Sequence, residues 1–368
     1  MLNIILTAVN AIMPIILLIL LGYILKRIKF LSKDFLKIGN KLVFKVLLPV
    51  MLFMNVYDSD WSAFRWDVIV YALSAILIIF CLGLATCILT TKRADRRGVI
   101  LQCTFRSNFA IIGTSLAASL AGGNAESIAT VALLQAFSIP LFNILAVISL
   151  TIFTQRKNQP AEGEIQADEA ENSATSATKK RNTGSNFRRS ALGILHGIVT
   201  NPLIIAVAVG LMFLGLRELE IAVWDGAVFT IKNRLFFIYS ALNQLKNIAS
   251  PFALIVLGGQ FEFSAVKGMF KEIAVGTVWR IVITPLLGLG AAILLSTYTN
   301  ILPLGPAEFP ALVALFGSPV AVSSAVMATE MKNDEQLATQ LVVWTSVCSI
   351  LTIFITVCIL MSIGFLAV

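Results

Sequence analysis

The sequence predicts an all-α integral membrane protein of ten transmembrane helices, arranged as two inverted repeats of five with broken, crossing helices 4 and 9. Three observations predict it. The chain is 58% hydrophobic and only 13% charged, with a mean hydropathy of +0.88, against about 25% charged residues in ordinary soluble domains. Its apolar runs recur from end to end at lengths that cross a bilayer as helices, whereas a transmembrane barrel reads as short alternating segments. The two halves of the chain also share motifs in the same order.

The apolar runs place spans near 4–25, 36–57, 67–91, 98–121, 127–153, 191–215, 236–258, 273–296, 307–328 and 338–367. The first is too long for the apolar core of a secretory signal and lacks a small-residue cleavage site, so it is expected to stay as a span. Alternate connections are basic: Lys26, Arg27, Lys29, Lys33 and Lys37 after the first span, Lys92, Arg93, Arg96 and Arg97 after the third. Arg156, Lys157, Lys179, Lys180, Arg181, Arg188 and Arg189 follow the fifth. Basic connections remain cytoplasmic, which puts both termini outside. The opposite connections carry Asp58, Asp60, Asp67, Glu126, Glu218, Glu220 and Asp225, with Tyr57, Trp61, Trp66, Tyr71 and Trp224 as interfacial aromatics. Residues 155–190 are polar and aperiodic, and read as a disordered cytoplasmic linker. It separates a first repeat, 1–154, from a second, 191–368.

An odd number of spans per half inverts the second half relative to the first, the arrangement of many transporters. MPIILLILLG aligns with NPLIIAVAVG, matching Pro14 and Gly22 with Pro202 and Gly210. PVMLF from Pro49 aligns with PFALI from Pro251, GTSLAAS from Gly113 with GSPVAVS from Gly317, and IATVALL with LATQLVV.

The ninth span holds Pro319 at its middle, flanked by Gly317, Ser318, Ser323 and Ser324. Proline within a helix removes a backbone hydrogen bond, and in hydrocarbon the freed groups need partners, so this helix is expected to break inside the protein. Gly113, Thr114 and Ser115 mark the matching break in the fourth span. Half-helix N-termini meeting near the midplane offer N–H groups and partial positive charge to an anion, and Asn108 adds an amide that binds a carboxylate or a freed carbonyl.

Lys45, Arg106, Lys246 and Arg280 lie in or near apolar runs, where charge is costly. Arg106 and Arg280 are two turns from a cytoplasmic end and within snorkelling reach of it, so topology or packing is the first reading for both and charge compensation of an anion the second. Lys45, with Lys246 and Asn247 in its repeat neighbourhood, is a candidate to pair with carbonyls or an anion. Every Asp and Glu falls in a connection or at a span end, so the midspan acid of a proton or sodium site is missing; carbonyls at a helix break remain an alternative sodium site. The five cysteines, Cys81, Cys87, Cys103, Cys348 and Cys358, have no Cys-x-x-Cys spacing, and His196 is the single histidine. No metal or cofactor is expected, and no hydrolase or transferase motif points to an enzyme.

These residues together resemble the auxin efflux carrier family: LVFKVLLPVMLF in the second span, the Asn108 to Leu116 pattern NxxxxGxxL, TNPLIIAVAVGL, RIVITP from Arg280, and SPVAVSSAVMATE. The resemblance covers both membrane halves and omits the linker. It implies ten helices in two inverted repeats, a fold akin to NhaA-type antiporters and bile-acid symporters, with an organic anion bound where helices 4 and 9 cross. It implies alternating access of a transport bundle against a scaffold of helices 1, 2, 6 and 7, which would also supply a homodimer surface. By motif it carries substrate contact to Asn108 and the Pro319 crossover, and more weakly to Gln135. The family's Gly-x-Pro is absent at Gly113-Thr114-Ser115, and the short linker argues for a bacterial relative in the inner membrane. A secondary or facilitative carrier of a mono- or dicarboxylate is the expected function; an anion channel and a sodium-coupled symporter are the alternatives.

Overall fold

In the computed structural model the described residues are 2–58, 65–113, 116–117, 120–122, 124–154, 200–223, 230–299 and 302–366. The expected linker, Trp61, Trp224 and His196, and the candidate residues Thr114 and Ser115, lie outside them. The described residues are helical almost throughout, and five helical stretches are long and apolar enough to span a bilayer: Trp66–Thr90, Leu133–Phe153, Pro202–Glu220, Phe270–Tyr298 and Glu335–Ser362. An all-helical membrane protein is the result.

Helix α1 (Leu2–Arg27) leads through a basic turn to α2 (Lys33–Leu42), whose start is fixed by the Ser32 hydroxyl accepting from the Phe35 N–H at 3.1 Å. A π turn, Val43–Leu47, continues it into α3 (Leu48–Tyr57). A second π turn, Trp279–Ile283, joins α10 (Phe270–Val278) to α11 (Thr284–Tyr298). Both π turns end just before a proline, Pro49 or Pro285. The wider turn makes room for a ring that would otherwise strike the carbonyl one turn back.

The order continues with α4 (Trp66–Thr90), α5 (Ala94–Phe105), α6 (Ala125–Thr154), α7 (Pro202–Val223), the short α8 (Ile231–Arg234) and α9 (Phe236–Gln260). After α11 come α12 (Phe309–Gly317), α13 (Val322–Glu330) and α14 (Glu335–Ser362). Lipid tails are as apolar as leucine, so helices in a bilayer associate through close packing of small residues. Helices α1 and α9 cross at two glycines used reciprocally. A Cβ on Gly22 would lie 2.0 Å from the Ile255 carbonyl oxygen, and one on Gly258 would lie 2.0 Å from that of Ile19. Helices α3 and α7 approach in the same way, at Gly210 against the Phe53 carbonyl.

One end of the bundle is tied by Arg96 to Asp334 (2.9 Å) and Glu272 (2.8 Å) and by Lys26 to Glu262 (3.3 Å). The other is tied by Arg65 to the buried Glu308 (2.6 Å) and by Lys246 to Asp58 (3.1 Å). The last pair corrects the expectation for Lys246: a carboxylate at the end of α3 takes its charge. Lys45 is exposed on its π turn. Tyr57, expected at an interface, is buried and its hydroxyl accepts from the Ile231 N–H at 2.9 Å.

Candidate functional site

Two helices stop near the middle of the protein and restart after a few extended residues. The chain leaves α5 at Phe105, runs extended through Arg106, Ser107 and Asn108, and re-enters a helical turn at Phe109–Gly113. It leaves α12 at Gly317, runs extended through Ser318 to Ala321, and re-enters helix at Val322. The extended segments lie antiparallel, with Ser107 paired to Val320. The Asn108 N–H donates to the Pro319 carbonyl at 2.8 Å and the Ala321 N–H to the Arg106 carbonyl at 3.4 Å.

A break in the earlier helix is therefore at Arg106–Asn108; of the break expected at Gly113-Thr114-Ser115, the last two residues lie outside the described residues. Gly113 ends the π turn and is buried against α12: a Cβ there would meet the Phe109 ring at 2.5 Å and the Ala314 carbonyl at 3.2 Å. The sequence alignment of Gly113 with Gly317 matched small residues, but the strand-like pairing matches Asn108 with Pro319.

Each half-helix end leaves carbonyls without intrahelical partners. Arg280 takes most of them. Its Nε donates to the Ser318 carbonyl at 2.9 Å, Nη1 to Phe105 at 3.1 Å, and Nη2 to Phe316 at 2.8 Å and Leu315 at 3.2 Å. Thr284 Oγ1 donates to the Thr104 carbonyl at 2.7 Å, and the Ser318 hydroxyl turns back to Ala314 at 2.6 Å. The Arg280 side chain is 0% exposed; instead of snorkelling, it sits at the negative ends of both half-helix dipoles. Gln135 plays a lesser version of the same part, its Nε2 donating to the Phe109 carbonyl at 2.9 Å.

On the other side of the crossing is a cavity of about 50 Å³. It is lined by Arg106, Ser107, Asn108 and Ala110, by Ala321, Val322 and Ser323, by Ile139, Phe142 and Asn143 of α6, by Leu48, Met51 and Leu52 of α3, and by Ser250 and Ala253 of α9. Arg106, 3% exposed, also fails to snorkel. Its Nη2 donates to Asn143 Oδ1 at 2.7 Å and Ser323 Oγ at 2.9 Å, and its Nη1 lies 2.7 Å from the Met327 sulfur. With its amide oxygen toward the guanidinium, Gln102 accepts from Nη1 at 2.7 Å and donates to the Ser324 carbonyl at 3.3 Å. All these partners are neutral. Among the described residues no carboxylate lies within ion-pair distance of Arg106 or Arg280.

Three buried polar atoms of cavity-lining residues have no hydrogen-bond partner among the described residues: Ser107 Oγ, Asn108 Nδ2 and Ser250 Oγ. Leaving such a group unsatisfied costs roughly 1–3 kcal/mol, so a cluster of three is a site arranged for something other than itself. Of the sequence candidates, Asn108 and Arg106 reach this cavity. Pro319, Ser318, Gly317, Gly113, Gln135 and Arg280 form or brace the crossing behind it. Ser107, Asn143 and Ser250 were not legible as site residues, since a lone serine or asparagine in an apolar run has no distinctive spacing.

A family model described as membrane transport protein, that of the auxin efflux carriers, matches residues 7–357. The chain belongs to the auxin efflux carrier family. A comparison with curated proteins finds no match. As an auxin efflux carrier family member, the chain is a membrane transporter, and family membership speaks for transport over catalysis.

Proposed function

We propose that this auxin efflux carrier family member is a secondary or facilitative transporter of a small organic anion, bound beside the helix crossing and moved by alternating access. One observation carries the reading: Arg106, a guanidinium with no counter-ion among the described residues, shares a buried cavity with residues carrying three polar atoms that lack partners among them. In hydrocarbon such a charge is costly, and one that lines a cavity marks a ligand path.

The proposed architecture is ten helices in two inverted repeats of five, and reciprocal contacts support it. A two-fold axis through the crossing exchanges Asn108 with Ala321 and Arg106 with Pro319, so it exchanges the two hydrogen bonds that pair the segments. The same inversion relates Gly22 against Ile255 to Gly210 against Phe53, each partner lying four residues after an aligned proline, Pro251 or Pro49. The helices so related, α1, α2–α3, α7 and α9, form the proposed scaffold and homodimer surface. The cavity lies between them and the crossing. By the positive-inside rule both termini are outside and residues 155–190 are cytoplasmic, in a bacterial inner membrane.

Sodium coupling through carbonyls of the break has less support. The Ser318, Phe316, Phe105 and Phe109 carbonyls already accept from Arg280 or Gln135. Flux driven by the anion gradient and the membrane potential is the favoured mode.

The test is uptake of a carboxylate panel into proteoliposomes, with unlabelled anion inside. A carrier gives saturable uptake accelerated by the trans anion; uptake indifferent to it indicates a channel. Asn108→Ala, which removes the unpartnered amide nitrogen, is expected to lower uptake at least about tenfold, the worth of one charge-assisted hydrogen bond. Wild-type uptake left intact by Asn108→Ala would place the ligand elsewhere.

A further inference from the structure

Topology asks only for basic residues in the connection after α1, yet the lysines continue along the next helix at a fixed spacing. Lys33, Lys37 and Lys41 of α2 are four residues apart and all exposed. Four residues turn a helix about 40° past a full revolution, so the three form one stripe, about 12 Å from first to last. Among the described residues no carboxylate lies within ion-pair distance of any of them. The other faces of α2 are as distinct. Leu36, Gly39 and Asn40 are buried, with Gly39 against Val256 and Phe252 of α9. Phe35, Ile38 and Leu42 are exposed, as are Ile28 and Phe30 of the turn before the helix.

At its outer end the stripe borders a cavity of about 440 Å³, which Lys33, Leu36 and Lys37 line together with Lys26, Glu262 and Glu335. Lys26 holds Glu262 at 3.3 Å, which leaves Lys33 and Lys37 against Glu335 alone. We infer that this stripe binds the phosphate of an anionic phospholipid, in the leaflet at the basic end of the bundle, with the acyl chains against Phe35, Ile38 and Leu42. Basic residues on an amphipathic helix at the bilayer surface attract anionic headgroups. The adjacent faces settle the occupant, because a phospholipid carries a negative phosphate and apolar chains in one molecule. A soluble phosphate covers none of the apolar face. A second copy of the chain, packed isologously on α2, sets the stripe against itself.

The experiment displaces fluorescent phosphatidylglycerol from the purified full chain in detergent. The competitors are unlabelled phosphatidylglycerol, phosphatidylcholine with the same chains, inorganic phosphate and glycerol 3-phosphate. A lysine beside an anionic headgroup is worth about fivefold in affinity, and three about 100-fold. Phosphatidylglycerol is therefore expected to compete about 100-fold better than phosphatidylcholine, and the two soluble phosphates not at all. Lys33→Gln, Lys37→Gln and Lys41→Gln in one protein are expected to remove most of that preference. Lys92→Gln, Lys267→Gln and Lys271→Gln take the same charge from exposed positions at the same end of the bundle, beside the Arg96 ion pairs, and are expected to leave most of it. Equal losses in the two triple variants would reduce the effect to net charge and overturn the inference. So would displacement by either soluble phosphate, or equal competition by the two lipids. Dimeric, lipid-free protein whose three stripe lysines resist acetylation would place a second copy on this face and overturn it too. The wild-type comparison of the two lipids decides the matter if the stripe variant does not fold.

Discussion

The guanidinium of Arg280 lies 2.8 Å from the carbonyl oxygen of Phe316, at the end of α12, while another of its nitrogens lies 3.1 Å from that of Phe105, at the end of α5. One side chain thus terminates two helices that enter the protein from opposite ends. Without it, carbonyls at both breaks would face hydrocarbon unpaired, and each costs several kcal/mol there.

Arg280→Met should accordingly be among the most damaging single substitutions in the molecule. A loss of about 3–5 kcal/mol is expected, the range for breaking a buried polar network, read as a fall in Tm or in the yield of monodisperse protein. Arg280→Lys keeps the charge but has three donors on one atom, too few to reach both helix ends, and should recover only part of the loss. A Tm unchanged in Arg280→Met would remove the clamp from the account.

Asn108→Asp separates the roles of the two cavity residues. Asn108 and Arg106 line the same small space, and a carboxylate at position 108 would give the guanidinium the counter-ion it lacks. The expected outcome is a protein as stable as the wild type or more so, with anion uptake lowered at least about tenfold, because the variant carries its own competitor for the site. Uptake at the wild-type level with raised stability would show that Arg106 does not face the anion.

Why one helix break was legible and the other was not has a local cause. At Pro319 the signal is covalent: a ring without an N–H ends a helix wherever it stands. At Arg106–Asn108 there is no proline, and the break is made by tertiary contacts, the Asn108 N–H going to Pro319 and the Arg106 carbonyl to Ala321. Residue type pointed instead to Gly113-Thr114-Ser115, whose last two residues lie outside the described ones. The packing reading suits Arg280, but the snorkelling expected of both arginines fails for a related reason. Distance along the helix put Arg106 and Arg280 within reach of the interface, but a helix end buried in the protein attracts donors more strongly than water at that distance. Sequence alone located the need for partners at the broken helix and assigned it to serines. Among the described serines of the ninth-span motif, Ser318 serves in that way, on the Ala314 carbonyl.

The reciprocal glycines of α1 and α9 give a sharp packing test. At Gly22 and Gly258 a new Cβ would lie 2.0 Å from a carbonyl oxygen of the facing helix, so the backbones must separate. Gly22→Ala is expected to lower stability by about 1–3 kcal/mol, the usual cost of overpacking. Gly215→Ala is the matched control, since nothing lies within 4 Å of the position a Cβ would take there. Equal melting temperatures for Gly22→Ala and Gly215→Ala would contradict the close approach of α1 and α9.

The last prediction concerns how the crossing moves. Asn40 of α2, 1% exposed, donates to Glu330 at the end of α13 at 2.9 Å and reaches the Val326 carbonyl at 3.5 Å. It joins a proposed scaffold helix directly to one arm of the crossing. Beside it, Gln336 donates to the Gln260 carbonyl at 3.2 Å and Gln340 to that of Glu262 at 2.7 Å. These contacts are all at the basic end of the bundle, where Lys26 meets Glu262. If the arm slides against the scaffold in each cycle, the Asn40–Glu330 contact must break and re-form. Cysteines at positions 40 and 330, placed in a variant with the five native cysteines replaced and joined by a short bifunctional thiol reagent, should therefore abolish uptake without lowering Tm. Cysteine at either position alone, treated with the same reagent, should leave most of it. Uptake that continues at full rate across the closed link would mean that α2 and α13 stay together throughout transport.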